Sequence, residues 1–199
     1  MSVPPIEWGF AEQPLPGQPV SGDRCVVQIE NGRATIAVID GIGHGSEAAQ
    51  ASRAVVDVLE SHAEEPIVSL FQRCHARLRS TRGAAMTLAR YDAAARKLKW
   101  LGAGNVRAIV LRAMPDGTTD CREMLIYSGI VGVRLPTVET SRIDARPGDV
   151  LILATDGIRN GFEGALRHGE DPQAQAERLL GSFRNHSDDA LILVARITR

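Results

Sequence analysis

The sequence predicts a layered α+β fold. Its apolar patterns run in the order strand pair, helix pair, strand series, helix, strand. Grouped strands and grouped helices point to stacked sheets with helices on their faces, not to alternating βαβ units. The runs Ala34 to Ile39 and Val150 to Ala154 are almost wholly apolar, and each leads into an Asp-Gly pair, Asp40-Gly41 and Asp156-Gly157. Such a run, bounded by a turn signal, reads as a buried strand.

The elements follow in order. Within residues 1–20 a strand leads into a Pro/Gly-rich loop, set at 11–22, which ends at Ser21-Gly22-Asp23. Cys25 to Ile29 and Ala34 to Ile39 flank Asn31-Gly32, a strong hairpin signal. Ala51, Ala54, Val55, Val58 and Leu59 fall on one helical face, with Ser46 or the glycine turn as its cap and Glu47 in the first turn. Pro66 suits the first turn of a second helix, whose face is Ile67, Leu70, Phe71, Cys74 and Leu78. Arg73, Arg77, Arg79 and Arg82 lie on its solvent or partner side. Short strands follow at Met86 to Tyr91, Lys97 to Leu101, Val106 to Leu111 and Glu123 to Tyr127, with Asp116-Gly117 in a turn. Pro147-Gly148-Asp149 introduces the strand that ends at Asp156. A last helix carries Ala176, Leu179, Leu180 and Phe183, and the closing strand spans Ala190 to Ile197.

At 199 residues the chain is expected to be one domain, 1–199. A formal net charge of −1 argues against a nucleic-acid partner and gives no electrostatic reason to bind an anionic membrane. No apolar run reaches the roughly 20 residues of a membrane helix. The N-terminus does not read as a signal peptide, so the cytoplasm is the expected location. Cys25, Cys74 and Cys121 are widely spaced, which fits neither a disulfide scaffold nor a zinc site and predicts buried free thiols.

The acidic residues carry the chemistry. Asp40 and Asp156 sit at the C-terminal ends of two buried strands, and Asp188-Asp189 opens another. If the last strand runs antiparallel to the other two, all these carboxylates reach one rim. Gathering unpaired carboxylates is costly through desolvation and repulsion. Divalent cations such as Mg²⁺ or Mn²⁺ remove that cost, and two of them can activate a water for attack on phosphorus. Gly41 offers a backbone carbonyl with no side chain in the way.

Ser21-Gly22-Asp23, Asp40-Gly41-Ile42-Gly43-His44-Gly45, Thr155-Asp156-Gly157 and Ser187-Asp188-Asp189-Ala190, in this order and spacing, resemble the PPM family of Mg²⁺/Mn²⁺-dependent serine/threonine protein phosphatases. The bacterial branch of sporulation and stress-response regulators matches best. The resemblance covers nearly the whole chain from about residue 20. It implies an αββα sandwich of two mainly antiparallel sheets flanked by helices. It implies two ions, Mn²⁺ or Mg²⁺, with Asp40 bridging them and Gly41 binding one through its carbonyl. Asp156 and Asp188 would complete the ligand sets, with Asp189 as the alternative at the last motif. Asp23 would position water or act as a more distant ligand. The type most resembled, a stressosome feedback phosphatase, implies a phosphorylated STAS-domain protein as partner and substrate. A phosphorylated anti-anti-sigma factor is the alternative substrate, and a phosphoprotein-binding pseudophosphatase the alternative function.

Other residues divide between roles. His44 could protonate the leaving serine oxygen or pack the glycine turn. Arg24 could approach phosphate or be an ordinary exposed arginine. Asn105, in Gly104-Asn105-Val106-Arg107, stands where some members place a further Asp for a third metal.

Overall fold

A computed structural model describes residues 4–199. Two five-stranded antiparallel sheets form its centre. One comprises β2 (Asp23–Glu30), β3 (Arg33–Gly41), β4 (Ala84–Asp92), β5 (Lys97–Ala103) and β8 (Ser141–Asp144), in that spatial order. The other places β1 (Ile6–Gln13) beside β10 (Ala190–Ile197), then β9 (Val150–Ala154), β6 (Arg107–Ala113) and β7 (Thr119–Glu123). Helices α1 (Gly45–Ser61) and α2 (Ile67–Arg77) cover the first sheet, and α3 (Pro172–Phe183) covers the second. This is the αββα sandwich the resemblance implies.

The period of two along each strand explains the layers. Ile36 and Val38 face the opposite sheet, while Ala37 and Ile39 face α1 and α2. In β9, Leu151 and Leu153 enter the inter-sheet layer, while Val150, Ile152 and Ala154 face α3. Both faces are covered, so these strands read as continuous apolar runs. The β2–β3 hairpin turns at Asn31 and Gly32, both with positive φ (50° and 74°). That conformation suits the right-handed strand twist, and Asn and Gly tolerate it.

Several sequence readings are corrected. The N-terminal loop starts after Gln13, because Ala11 lies within β1. Ser46 is inside α1 and does not cap it; His44 holds the N-cap position without a side-chain hydrogen bond. The predicted strand Glu123 to Tyr127 is displaced: β6 pairs with the polar segment Thr119–Glu123 instead. The strand at 141–144 was not foreseen. Of the three thiols only Cys74 is buried; Cys25 is half-buried and Cys121, on edge strand β7, is exposed. Among the described residues, no helix is long and apolar enough to cross a membrane.

At the end of the second sheet a buried ion pair fastens β6 to the start of β9. Asp149 is 3% exposed and accepts from Arg112 Nε (2.9 Å) and Nη2 (2.5 Å), and from the Arg146 amide (2.9 Å). Asp149→Ala is expected to cost about 3 kcal/mol, because it strands the guanidinium in a largely buried place. Urea unfolding of the variant beside Asp149→Asn checks this, with the amide retaining part of the loss.

Candidate active site

Register brings the acidic residues together. Asp23 opens β2 directly opposite Asp40 near the end of β3. Asp40 shares a strand face with Ile36 and Val38, so it sits where the inter-sheet apolar layer reaches the surface. Asp156 lies two residues beyond β9, and Asp188 two residues before β10, its antiparallel neighbour. The expected rim therefore forms, although Asp156 is carried past its strand end by Thr155.

Each acid has a defined environment. Thr155 Oγ1 donates to Asp23 Oδ2 (2.8 Å) and accepts from the Leu191 amide (2.9 Å), tying one sheet to the other. Asn105 Nδ2 donates to Asp156 Oδ2 (2.7 Å) and lies close enough to Asp40 to favour its charged form. Asp189 is buried and turned away: its two oxygens accept from the amides of Leu15 and Gly22, both at 2.7 Å. Asp188 is half-buried and accepts from the Asp189 amide (2.8 Å). His44 is exposed at the start of α1 and close enough to Asp188 to lower its pKa. Arg24 does not reach toward the acids. Its Nη1 donates to the carbonyls of Ser21 (3.1 Å) and Asp23 (2.6 Å), bracing that loop.

The glycines of both Asp-Gly pairs answer to packing. A Cβ at Gly41 would fall 2.2 Å from the Ala48 carbonyl oxygen of α1. A Cβ at Gly157 would fall 1.9 Å from the carbonyl oxygen of Asp189. Only a residue without a side chain lets these backbones approach so closely.

Electrostatics marks the cluster as uncompensated. Burial, then the charges of Asp156 and Asp188, push Asp40 up to about 7, against the opposing hydrogen bond from Asn105. Burial and the facing Asp40 raise Asp23 well above the carboxylate range. Burial also raises Asp188, with Asp156 and Asp189 adding to it. Among the described residues, no Lys or Arg pairs with Asp23, Asp40, Asp156 or Asp188. An all-oxygen, like-charged donor set without a cation suits a hard divalent ion. Among the described residues no three acidic, His or Cys side chains close into a compact cage. Sequence reasoning missed Thr155 as the inter-sheet tie and Asn105 as the clamp on Asp156; a lone Thr between an apolar run and an Asp was the available signal for the first.

The family model for Stage II sporulation protein E (SpoIIE) matches residues 30–198. The chain belongs to the SpoIIE family. It is therefore a PPM-type protein serine/threonine phosphatase, from a metal-dependent family. The phosphoserine phosphatase RsbX of Bacillus subtilis (strain 168) is 25% identical over 183 residues, which is 92% of this chain and 90% of that one. A chain solved in work on the bacterial stressosome, a modular system adapted to control secondary messenger signalling, is 29% identical. It superposes with a TM-score of 0.86 over 96% of this chain and 99% of its own. The crystal structure of RsbX in complex with magnesium is 23% identical and superposes at 0.85, covering 97% and 96%. This last likeness bears on the fold, which is that of the family.

A pH-dependent response to metal is expected. In the metal-free chain Asp40 holds its proton to about pH 7, whereas the unfolded chain releases it near 3.8. The folded state thus binds the extra proton, and this contribution to stability is lost as pH rises through about 7. Metal needs the ionised form. Added Mn²⁺ should raise the melting temperature more at about pH 8 than at about pH 6, and Asp40→Asn should abolish most of the gain. Thermal melts at both values with and without chelator measure it.

Proposed function

We propose that this chain hydrolyses phosphoserine or phosphothreonine on a STAS-domain protein of a stressosome-type partner-switching pathway, in the cytoplasm, with two Mg²⁺ or Mn²⁺ ions. The observation that carries the reading is the uncompensated acid set of Asp40, Asp156 and Asp188 at the mouth of the inter-sheet layer. The likeness to the phosphoserine phosphatase RsbX and to a stressosome chain supports the substrate class.

Asp40 and the Gly41 carbonyl would hold the ions, with Asp156 and Asp188 completing the set. Asp188 is preferred over Asp189, whose oxygens are engaged by the Leu15 and Gly22 amides. When bound, the ions supply charge neutralisation at the phosphate and a water of lowered pKa. Asp23, held by Thr155, orients water at the rim. Asn105 fixes the Asp156 carboxylate, and an amide there adds no charge for a third ion. His44, exposed beside Asp188, would give a proton to the departing serine oxygen.

Two outcomes are expected. Hydrolysis of p-nitrophenyl phosphate should need Mn²⁺, stop with chelator, and fall by at least about 100-fold in Asp40→Asn, a loss of ~2.7 kcal/mol of transition-state stabilisation. Wild type that binds Mn²⁺ yet releases phosphate neither from this ester nor from a phosphorylated STAS-domain protein would instead be a binding module. His44→Gln should lower kcat on a phosphoserine protein by about 100-fold. It should have little effect on p-nitrophenyl phosphate, whose stable phenolate leaves without a proton. Equal losses on both substrates would remove His44 from the acid role.

A further inference from the structure

The helix-covered face of the β2–β3–β4–β5–β8 sheet carries two adjacent cross-strand rows at its far end. In the outer row Arg33, Asp92, Lys97 and Asp144 lie directly opposite one another in succession, so charges alternate. In the next row Thr35 is followed by Arg90, Lys99 and Arg142, three cations side by side. Like charges directly opposite are destabilising, and folding alone gives no reason to place three together. Ion pairs serve the outer row: Arg33 with Asp92 (3.1 Å) and Lys97 with Asp144. Arg90 instead donates to neutral oxygens of Thr35 (3.0 Å), Glu65 (2.7 Å) and Ala63 (2.6 Å), which holds its position and leaves its charge.

These rows floor a groove of about 410 Å³. Five cations and one carboxylate, Asp92, line it; Arg33 pairs with Asp92 and Lys97 with Asp144, so that among the described residues Arg90, Lys99 and Arg142 are left without an ion pair, in a chain of net charge −1. The first turn of α2 closes one side with Pro66, Ile67 and Val68. That turn has no side-chain cap and no acidic residue, so the positive end of the helix adds to the field. The groove lies at the opposite end of β3 from the acids. Arg33 and Asp40 are seven residues apart, about 23 Å along the strand. A concave site of this size, with convergent cations facing an apolar wall, is of small-ligand dimensions.

We propose that this groove binds a small organophosphate, its phosphate on Arg90, Lys99 and Arg142 and its apolar body against Pro66, Ile67 and Val68. The site is separate from the acidic rim and independent of the phosphatase reading.

Adenosine monophosphate is the probe, titrated into the full chain with Mn²⁺ and again with chelator, alongside inorganic phosphate and uncharged adenosine. Binding should persist with chelator and shift the amide resonances of Ile67, Val68 and Lys99 but not of Gly41. The double variant Lys99→Gln/Arg142→Gln should bind about tenfold more weakly or worse. It should melt no lower than wild type, since neutralising the row relieves repulsion, and keep its hydrolysis of p-nitrophenyl phosphate. Unchanged affinity in the variant, or loss of binding on chelation, would overturn the proposal. So would the absence of saturable binding up to about 10 mM. Tighter binding of hexaglutamate than of the nucleotide would also overturn it, in favour of an acidic protein segment.

Discussion

Asp23 and Asp40 face each other across β2 and β3, at the point where the apolar layer between the sheets opens to solvent. Two carboxylates in that position repel and lose hydration. Neighbouring groups offset this only in part: Thr155 donates to Asp23, and Asn105 holds Asp156 beside Asp40. Thr155 also accepts from Leu191 in β10, so one hydroxyl links the acidic pair of one sheet to the backbone of the other. The residual charge suits the rim to a cation of the kind the family depends on.

Close backbone approach is the second requirement. Gly41 lies under α1 at Ala48, and Gly157 lies against the Asp189 carbonyl. Both Asp-Gly pairs therefore combine a carboxylate with a contact that any side chain would obstruct. Asp189 completes the arrangement by anchoring Leu15 and Gly22, which fixes the segment before Asp23. One acid at the last motif faces the rim and its neighbour secures the loop. This division explains why two adjacent aspartates occur there.

Central elements were legible because burial dictates their residues. Ala34 to Ile39 and Ala190 to Ala195 lie between a helix layer and a second sheet, and the sequence records both faces as apolar. Edge strands were not legible for the same reason. Ser141–Asp144 exposes alternate residues, Thr119–Glu123 exposes all but Asp120, and both carry charges, as edges that resist further pairing do. The apolar stretch Met124 to Ile126 was the stronger signal, yet β6 pairs with the polar segment before it. At the site, residue types and spacing pointed to the acidic set. The role of Asp189 was not accessible, because its partners are 174 and 167 residues away. Ser46 failed as a cap because the positive-φ Gly43 and Gly45 shape the turn, placing His44 at the helix entry.

The two ends of β3 obey opposite charge logic. At Asp40 the acids are crowded and, among the described residues, no Lys or Arg pairs with them. At Arg33 and Thr35 the sheet carries cations that outnumber nearby acids. A protein of net charge −1 could have paired these groups across its surface, and the outer row shows that the same strands do pair charges where stability alone decides. Segregating uncompensated charge by about 20 Å of strand forgoes that stabilisation at both ends. At the acidic end the compensating charge is consistent with a family that depends on metal. In the cationic row beside the start of α2, Arg90, Lys99 and Arg142 stand opposite one another in the register of the sheet, and that arrangement suits an anion.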